Sequence, residues 1–286
     1  MQRQIEWHVK KILLMQDSVG MIPSSVEFFN RELKKQKDIP RQSMATMALT
    51  FAQALYPELG IYSQIQKSSE YVEDTFESEE ESNQHYILLY VALAQVYAKK
   101  DPKEYVEKIV SHFSPIFFRH PVAVNLYLRL SSLLEEPLPH QAYILETQRY
   151  NLSLTPRRHR YFDYADTLVW GEKYDTQLAQ QEYKYLLSHK VQDHWFRDTN
   201  LNARSTASVV GKMFEVFSFY TKDLGLVELI YRALMSQKAS SQYAKDILGE
   251  YGEHILSEPN TLRIDDTHTH ILMGLCYLYQ KAFYVV

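Results

Sequence analysis

The stretch Asn200–Leu234 constrains the fold more than any other part of this chain. It reads N-L-N-A-R-S-T-A-S-V-V-G-K-M-F-E-V-F-S-F-Y, then T-K-D-L, then G-L-V-E-L-I-Y-R-A-L. The first run is apolar on nearly every side and is led by small polar residues. The second is amphipathic. Only Thr221–Leu224 separates them, and so short a connection forces two helices antiparallel and side by side, an αα-hairpin.

Similar units recur. Apolar residues at helical spacing predict helices over Ile5–Gln16, Val26–Lys37, Arg41–Leu55, Ile61–Phe76, Gln84–Ala98 and Lys103–Phe113. Further along, prolines and polar turns delimit Val122–Leu134, Gln141–Tyr150, Arg157–Trp170 and Thr176–Ser188. Gln242–Leu256 and Asp266–Phe283 complete the set. Ser24 and Ser25 are N-cap candidates for Val26–Lys37. Four turns look alike: Tyr56–Gly60, Tyr97–Asp101, Gly171–Asp175 and Tyr220–Asp223. Only 8 glycines in 286 residues, with few strand-like alternations, argue for an all-α fold. The expectation is one domain, residues 1–286, of about five or six hairpins.

The first helix of each pair is the more apolar, which predicts an inner layer covered by an outer one. A repeat of this kind makes a solenoid or a closed array. Variable spacing and the inner–outer asymmetry favour the ring over the rod. The segments L-L-M-Q-D-S-V-G-M-I-P-S-S, R-Q-S-M-A-T-M-A-L-T-F-A-Q-A-L-Y and R-S-T-A-S-V-V-G-K-M-F-E-V-F bear on this choice. They resemble the opening and the inner helices of (α/α) toroid proteins of the six-hairpin glycosidase, polysaccharide-lyase and sugar-epimerase kind. That resemblance implies an (α/α) toroid or incomplete toroid and a carbohydrate ligand. No catalytic signature of one such family is matched residue by residue.

Charge and motifs exclude several classes. A formal net charge of −4 gives no electrostatic reason to expect nucleic acid. A single cysteine, Cys276, rules out an internal disulfide, and its apolar setting predicts a buried thiol. No apolar run reaches the ~18 residues that span a bilayer. The charged, amphipathic N-terminus is unlike a signal peptide, so the expectation is a cytoplasmic protein, a leader removed upstream being the alternative. No Gly-rich phosphate loop, C-x-x-C, H-E-x-x-H or G-x-S-x-G occurs. The reading names no cofactor and no metal.

In a two-layer ring the loops leading into the inner helices gather at one mouth. Here they hold Gln84, Arg160, Tyr161, Asp163, Trp195, Asp198, Arg204, Asp265, Asp266, His268 and His270. Such a concave polar site with aromatic walls suits sugars. In D-D-T-H-T-H, Asp266 and His270 share a helical face, whereas His268 and His270 do not. The functional reading makes Asp266 and Asp198 general acid and base, with His270 beside them. Substrate-binding candidates are Trp195 as a stacking platform, with Arg204, Arg160, Tyr161, Asp163, His268, Asp265 and Gln84. The bland alternative makes the aspartates helix caps and Trp195 an anchor. The leading expectation is a protein acting on, or binding, an oligosaccharide. Its rivals are a non-catalytic helical scaffold for a protein partner and an accessory factor in glycan synthesis.

Overall fold

In a computed structural model, the residues described are all but 30–31, 113–117, 119, 135, 155–160, 192–194, 197–206, 221–222, 238–254, 256–260 and 284–286. The inner helices are α2 (Ile39–Leu55), α4 (Glu81–Tyr97), α6 (Pro121–Leu133), α8 (Thr167–Tyr174), α10 (Ala207–Tyr220) and α12 (His270–Phe283). Outer helices are α1 (Gln2–Leu14), α3 (Tyr62–Phe76), α5 (Lys103–Ser111), α7 (Gln141–Ser153), α9 (Thr176–Ser188) and α11 (Leu224–Ser236). Among the described residues the fold is all-α apart from two small sheets.

Burial separates the two layers. Thirteen of the seventeen residues of α2 are buried, against two of the fifteen in α3. A helix that is apolar all round must be covered on every flank, whereas an amphipathic one needs a single partner. Contacts satisfy both needs. The inner helices touch in a cycle, α2 on α4, α4 on α6, α6 on α8, α8 on α10, α10 on α12, and α12 back on α2. Each of α3, α5, α7, α9 and α11 packs on the inner helix before it, and α1 packs on α12. The first helix therefore covers the last.

Local chemistry explains the hairpins. Asp175 and Asp223, which end two of the four similar turns, cap the outer helices that follow: each carboxylate accepts from a backbone N–H, Leu178 and Leu226 respectively, at 3.0 Å. Asp101, one residue before the N-cap Pro102, accepts from the Lys103 N–H at 2.9 Å. Asp175 and Asp223 are N-caps, each contributing about 1 kcal/mol to its helix.

Several expectations are corrected. Val26–Lys37 is no helix but a hairpin, β1 (Ser25–Phe29) with β2 (Glu32–Gln36), in register Val26 with Lys35 and Glu27 with Lys34. β5 (Thr261–Arg263) pairs with the other edge of β1, Val26 opposite Leu262. Pairing with a strand more than 200 residues away overrides the local helical spacing. The Ser24 backbone N–H accordingly donates to Gln36 across the hairpin and starts no helix. Gly171–Asp175 is not a turn throughout: Gly171 lies inside α8, where a Cβ would stand 2.9 Å from that of Ala179 on α9. Helix α8 begins at Thr167, after a 3-10 turn over Tyr161–Tyr164, rather than at Arg157. The last helix begins at His270, behind a π-helical turn over Ile264–Thr269. The expected Gln242–Leu256 helix lies outside the described residues, Ile255 excepted.

Candidate functional site

Buried charge marks the interior of the cycle. Lys212 and Glu215 sit one turn apart in the apolar run V-V-G-K-M-F-E-V-F of α10, so both face the same way. Arg129 interrupts the apolar face of α6, and Asp166 immediately precedes α8. Asp166 occupies the N-cap position of α8 without capping it. Its carboxylate instead takes the Lys212 ammonium, with Nζ 2.8 Å from both oxygens. A buried ammonium competes better for a carboxylate than a backbone N–H does. Lys212 also reaches Glu215 Oε2 at 3.3 Å, so the two carboxylates share one ammonium. Arg129 Nη1 donates to Glu215 Oε1 at 2.9 Å and lies 3.6 Å from Asp166 Oδ1.

Tyrosines floor this cluster. The Arg129 Nε and Nη2 groups donate to the Tyr97 hydroxyl of α4 at 3.0 and 2.9 Å, and Nη2 also donates to the Tyr277 hydroxyl of α12. Tyr97 and Tyr277 hydroxyls meet at 3.0 Å, and Phe51 of α2 stacks on Tyr97 with ring centroids 4.2 Å apart. All six inner helices contribute, directly or by the residue that leads into them.

The electrostatics follow from that geometry. Burial alone would push the Glu215 carboxyl up, but Lys212, Arg129 and His270 outweigh it and hold it well below the usual carboxylate range. Burial likewise works against the Arg129 and Lys212 charges. Tyr277, Tyr97, Glu215 and Asp166 overcome it for Arg129; Asp166 and Glu215 overcome it for Lys212, and both cations are raised. Two fixed cations thus balance two carboxylates.

His270 adds the reactive feature. Its Nδ1 lies 2.5 Å from Glu215 Oε2. Because Glu215 is an ionised carboxylate and can only accept, Nδ1 carries the hydrogen, and the ring in its neutral form has its lone pair on Nε2. A carboxylate fixing a histidine tautomer in this way is the arrangement of a general base. His270 is also the cluster member at the start of its helix, with 11% of its side chain exposed.

The sequence candidates divide. His270 is in the cluster. His268, two residues away, points elsewhere: it is fully buried against His8 of α1, Nδ1 to Nδ1 at 3.0 Å. Asp163 offers its backbone carbonyl to Asn125 Nδ2 at 2.8 Å, which ties the approach to α8 onto α6. Gln84 donates to the Phe76 carbonyl at 3.1 Å and so anchors α4 to the end of α3. Backbones place Tyr161 in the 3-10 turn, Trp195 in β4 (Trp195–Phe196), which pairs with β3 (Lys190–Val191), and Asp265 and Asp266 in the π-helical turn. The side chains of these four, and all of Arg160, Asp198 and Arg204, lie outside the described residues.

Sequence reasoning missed Arg129, Asp166, Lys212 and Glu215. The signal was present: ions in the middle of helices otherwise apolar all round are costly unless paired with one another. Cys276 is buried as expected, and burial pushes its thiol up. Among the described residues no three His, Cys, Asp or Glu side chains gather to hold a metal, and no helix is long and apolar enough to cross a membrane. No protein-family model matches the chain, and no curated protein matches it in sequence.

Proposed function

We propose that this chain is an (α/α) toroid that binds a carbohydrate at the end of the ring where the inner helices begin, with His270 Nε2 as its proton acceptor. The observation that carries the reading is the Glu215–His270 pair at 2.5 Å, set among ions that neutralise one another. Sugar hydroxyls suit such a site, because a fixed lone pair accepts a hydrogen bond from a hydroxyl. Asp198 and Asp266 remain the sequence's choice for the opposing acid, since Glu215, held as a carboxylate, has no proton to give at neutral pH. The glycosidase, lyase and epimerase chemistries of the resemblance share this need for a positioned acid–base pair.

Saturation-transfer NMR against hexose, hexosamine and uronate oligosaccharides tests the proposal. Transfer to one class, lost in His270→Ala with the fold intact, supports it. An absence of transfer across all three classes, or transfer indifferent to that substitution, removes it.

One observation favours a second reading, a non-catalytic helical scaffold for a protein partner or an accessory factor in glycan synthesis. Arg129, Asp166, Lys212 and Glu215 satisfy one another as a closed ion network would in a purely structural role.

A further inference from the structure

The buried pair His8–His268 lies away from the ion cluster, on the seam where the first helix covers the last hairpin. His8 belongs to the buried stripe of α1 formed with Ile5, Val9 and Ile12. His268 belongs to the π-helical turn that leads into α12, and both rings are fully buried. Their Nδ1 atoms stand 3.0 Å apart, with ring centroids at 5.3 Å. A hydrogen bond across that gap holds one hydrogen. One ring donates and the other accepts, whether the pair is neutral or carries a single positive charge. Doubly protonated, both Nδ1 atoms bear hydrogens that point at each other, and the contact is lost.

Other side chains border the pair. Trp7 of α1 touches both rings, edge-on to His8, and the buried Lys11 ammonium lies 5.1 Å above the Trp7 ring. From α11, Tyr231 meets His8 with centroids 6.3 Å apart. α10, which packs on the π-helical turn, brings Lys212 and Glu215, and α12 brings His270; these three are bonded to one another within the ion cluster. α2 carries Arg41 alone among ionisable residues, bonded to Asp38, and β1 carries Glu27, bonded to Gln36. The turn itself also carries Asp265 and Asp266, and β5, packed on it, carries Arg263; the side chains of these three lie outside the described residues.

We propose that His8 and His268 form a proton-operated latch: closed while one hydrogen is shared between their Nδ1 atoms, and released, freeing α1 from the seam, when both rings are protonated. An unfolded or released α1 lets both imidazoles titrate near 6.5, so the released state binds more protons below that pH. Against a closed pair carrying a single positive charge, release takes up one more proton, and the opening constant rises up to about tenfold per pH unit.

Hydrogen exchange read by mass spectrometry on peptides covering residues 2–14, from pH 7.5 to 5.0 and corrected for intrinsic rates, tests this. Protection of α1 is expected to fall up to tenfold per unit below about pH 6.5, while α2 and α10 keep theirs. In His8→Gln and His268→Gln, which pair without titrating, the slope flattens. A flat wild-type profile overturns the latch even if neither variant folds. The same slope in both variants, or loss of protection shared equally by α10, also overturns it. Release of α1 by a chelator at pH 7.5 would assign the pair to a metal instead, with the same consequence.

Discussion

Glu215 on α10 accepts a hydrogen bond from His270 at the head of α12, and the same carboxylate accepts from Arg129 on α6. One side chain therefore ties three inner helices together and fixes which nitrogen of His270 carries the hydrogen. Packing and chemistry meet in that residue.

Removing the Glu215 charge leaves Arg129 and Lys212 buried with a single counter-ion. Glu215→Gln is expected to cost about 3–5 kcal/mol, read as a lower urea midpoint, because breaking a buried network strands charge. Removing Arg129 as well, in Arg129→Met with Glu215→Leu, is expected to cost less than the sum of the two single changes. Strict additivity would mean that the two side chains do not act as a unit.

Acid should act in a window set by the same residue. Glu215 has a folded pKa well below its unfolded value near 4.3. A depressed carboxylate contributes stability that is complete above the unfolded pKa and disappears as pH falls through the folded one. Global unfolding by far-UV circular dichroism is thus expected to ease below about pH 4, separate from any event near pH 6. In Glu215→Gln this acid dependence should shrink; an unchanged acid limb would mean that other carboxylates cause it.

Alkali tests the tyrosines. Burial, helped by the Asp163 charge, pushes Tyr86 up to about 12, and burial pushes Tyr231 to about 12. Tyr90, Tyr127 and Tyr277 are raised further by burial. Unfolded tyrosines ionise near 10. Here the folded state holds the extra protons, so stability falls as pH rises above about 10. Tyrosinate absorbance should appear in two steps: exposed residues first, the buried set together with unfolding. A single smooth titration before any unfolding would contradict the burial.

Gly274 probes how closely α10 and α12 approach. A Cβ there would stand 2.6 Å from the Phe214 ring and 3.2 Å from the Glu215 Cα. Gly274→Ala is expected to cost about 1–3 kcal/mol through overpacking, despite the better helix propensity of alanine. A stabilised variant would show that the two helices have room to separate.

Much of this architecture is legible in the sequence, because its signals are local. The short T-K-D-L connection and the recurring turn aspartates declare hairpins, and the apolar inner runs declare which helix is covered. What the sequence hides is set at long range. Val26–Lys37 reads as helix until Thr261–Arg263 pairs with its first strand. Asp166 falls unmarked inside the helix expected over Arg157–Trp170, until Lys212, 46 residues on, takes its carboxylate. Of the site, His270 is found by its position at a helix start, whereas its partner Glu215 is concealed in a run that looks like core. Ions buried in apolar helices mark each other only once the helices are placed side by side.

The nitrogen spectrum of the His270 ring tests the central claim most directly. In the neutral form of the ring, isotope-labelled protein should show His270 with hydrogen on Nδ1 and a bare Nε2, and the Nε2 resonance should move when an oligosaccharide is added. A ring carrying its hydrogen on Nε2, or one that no oligosaccharide perturbs, would contradict the account.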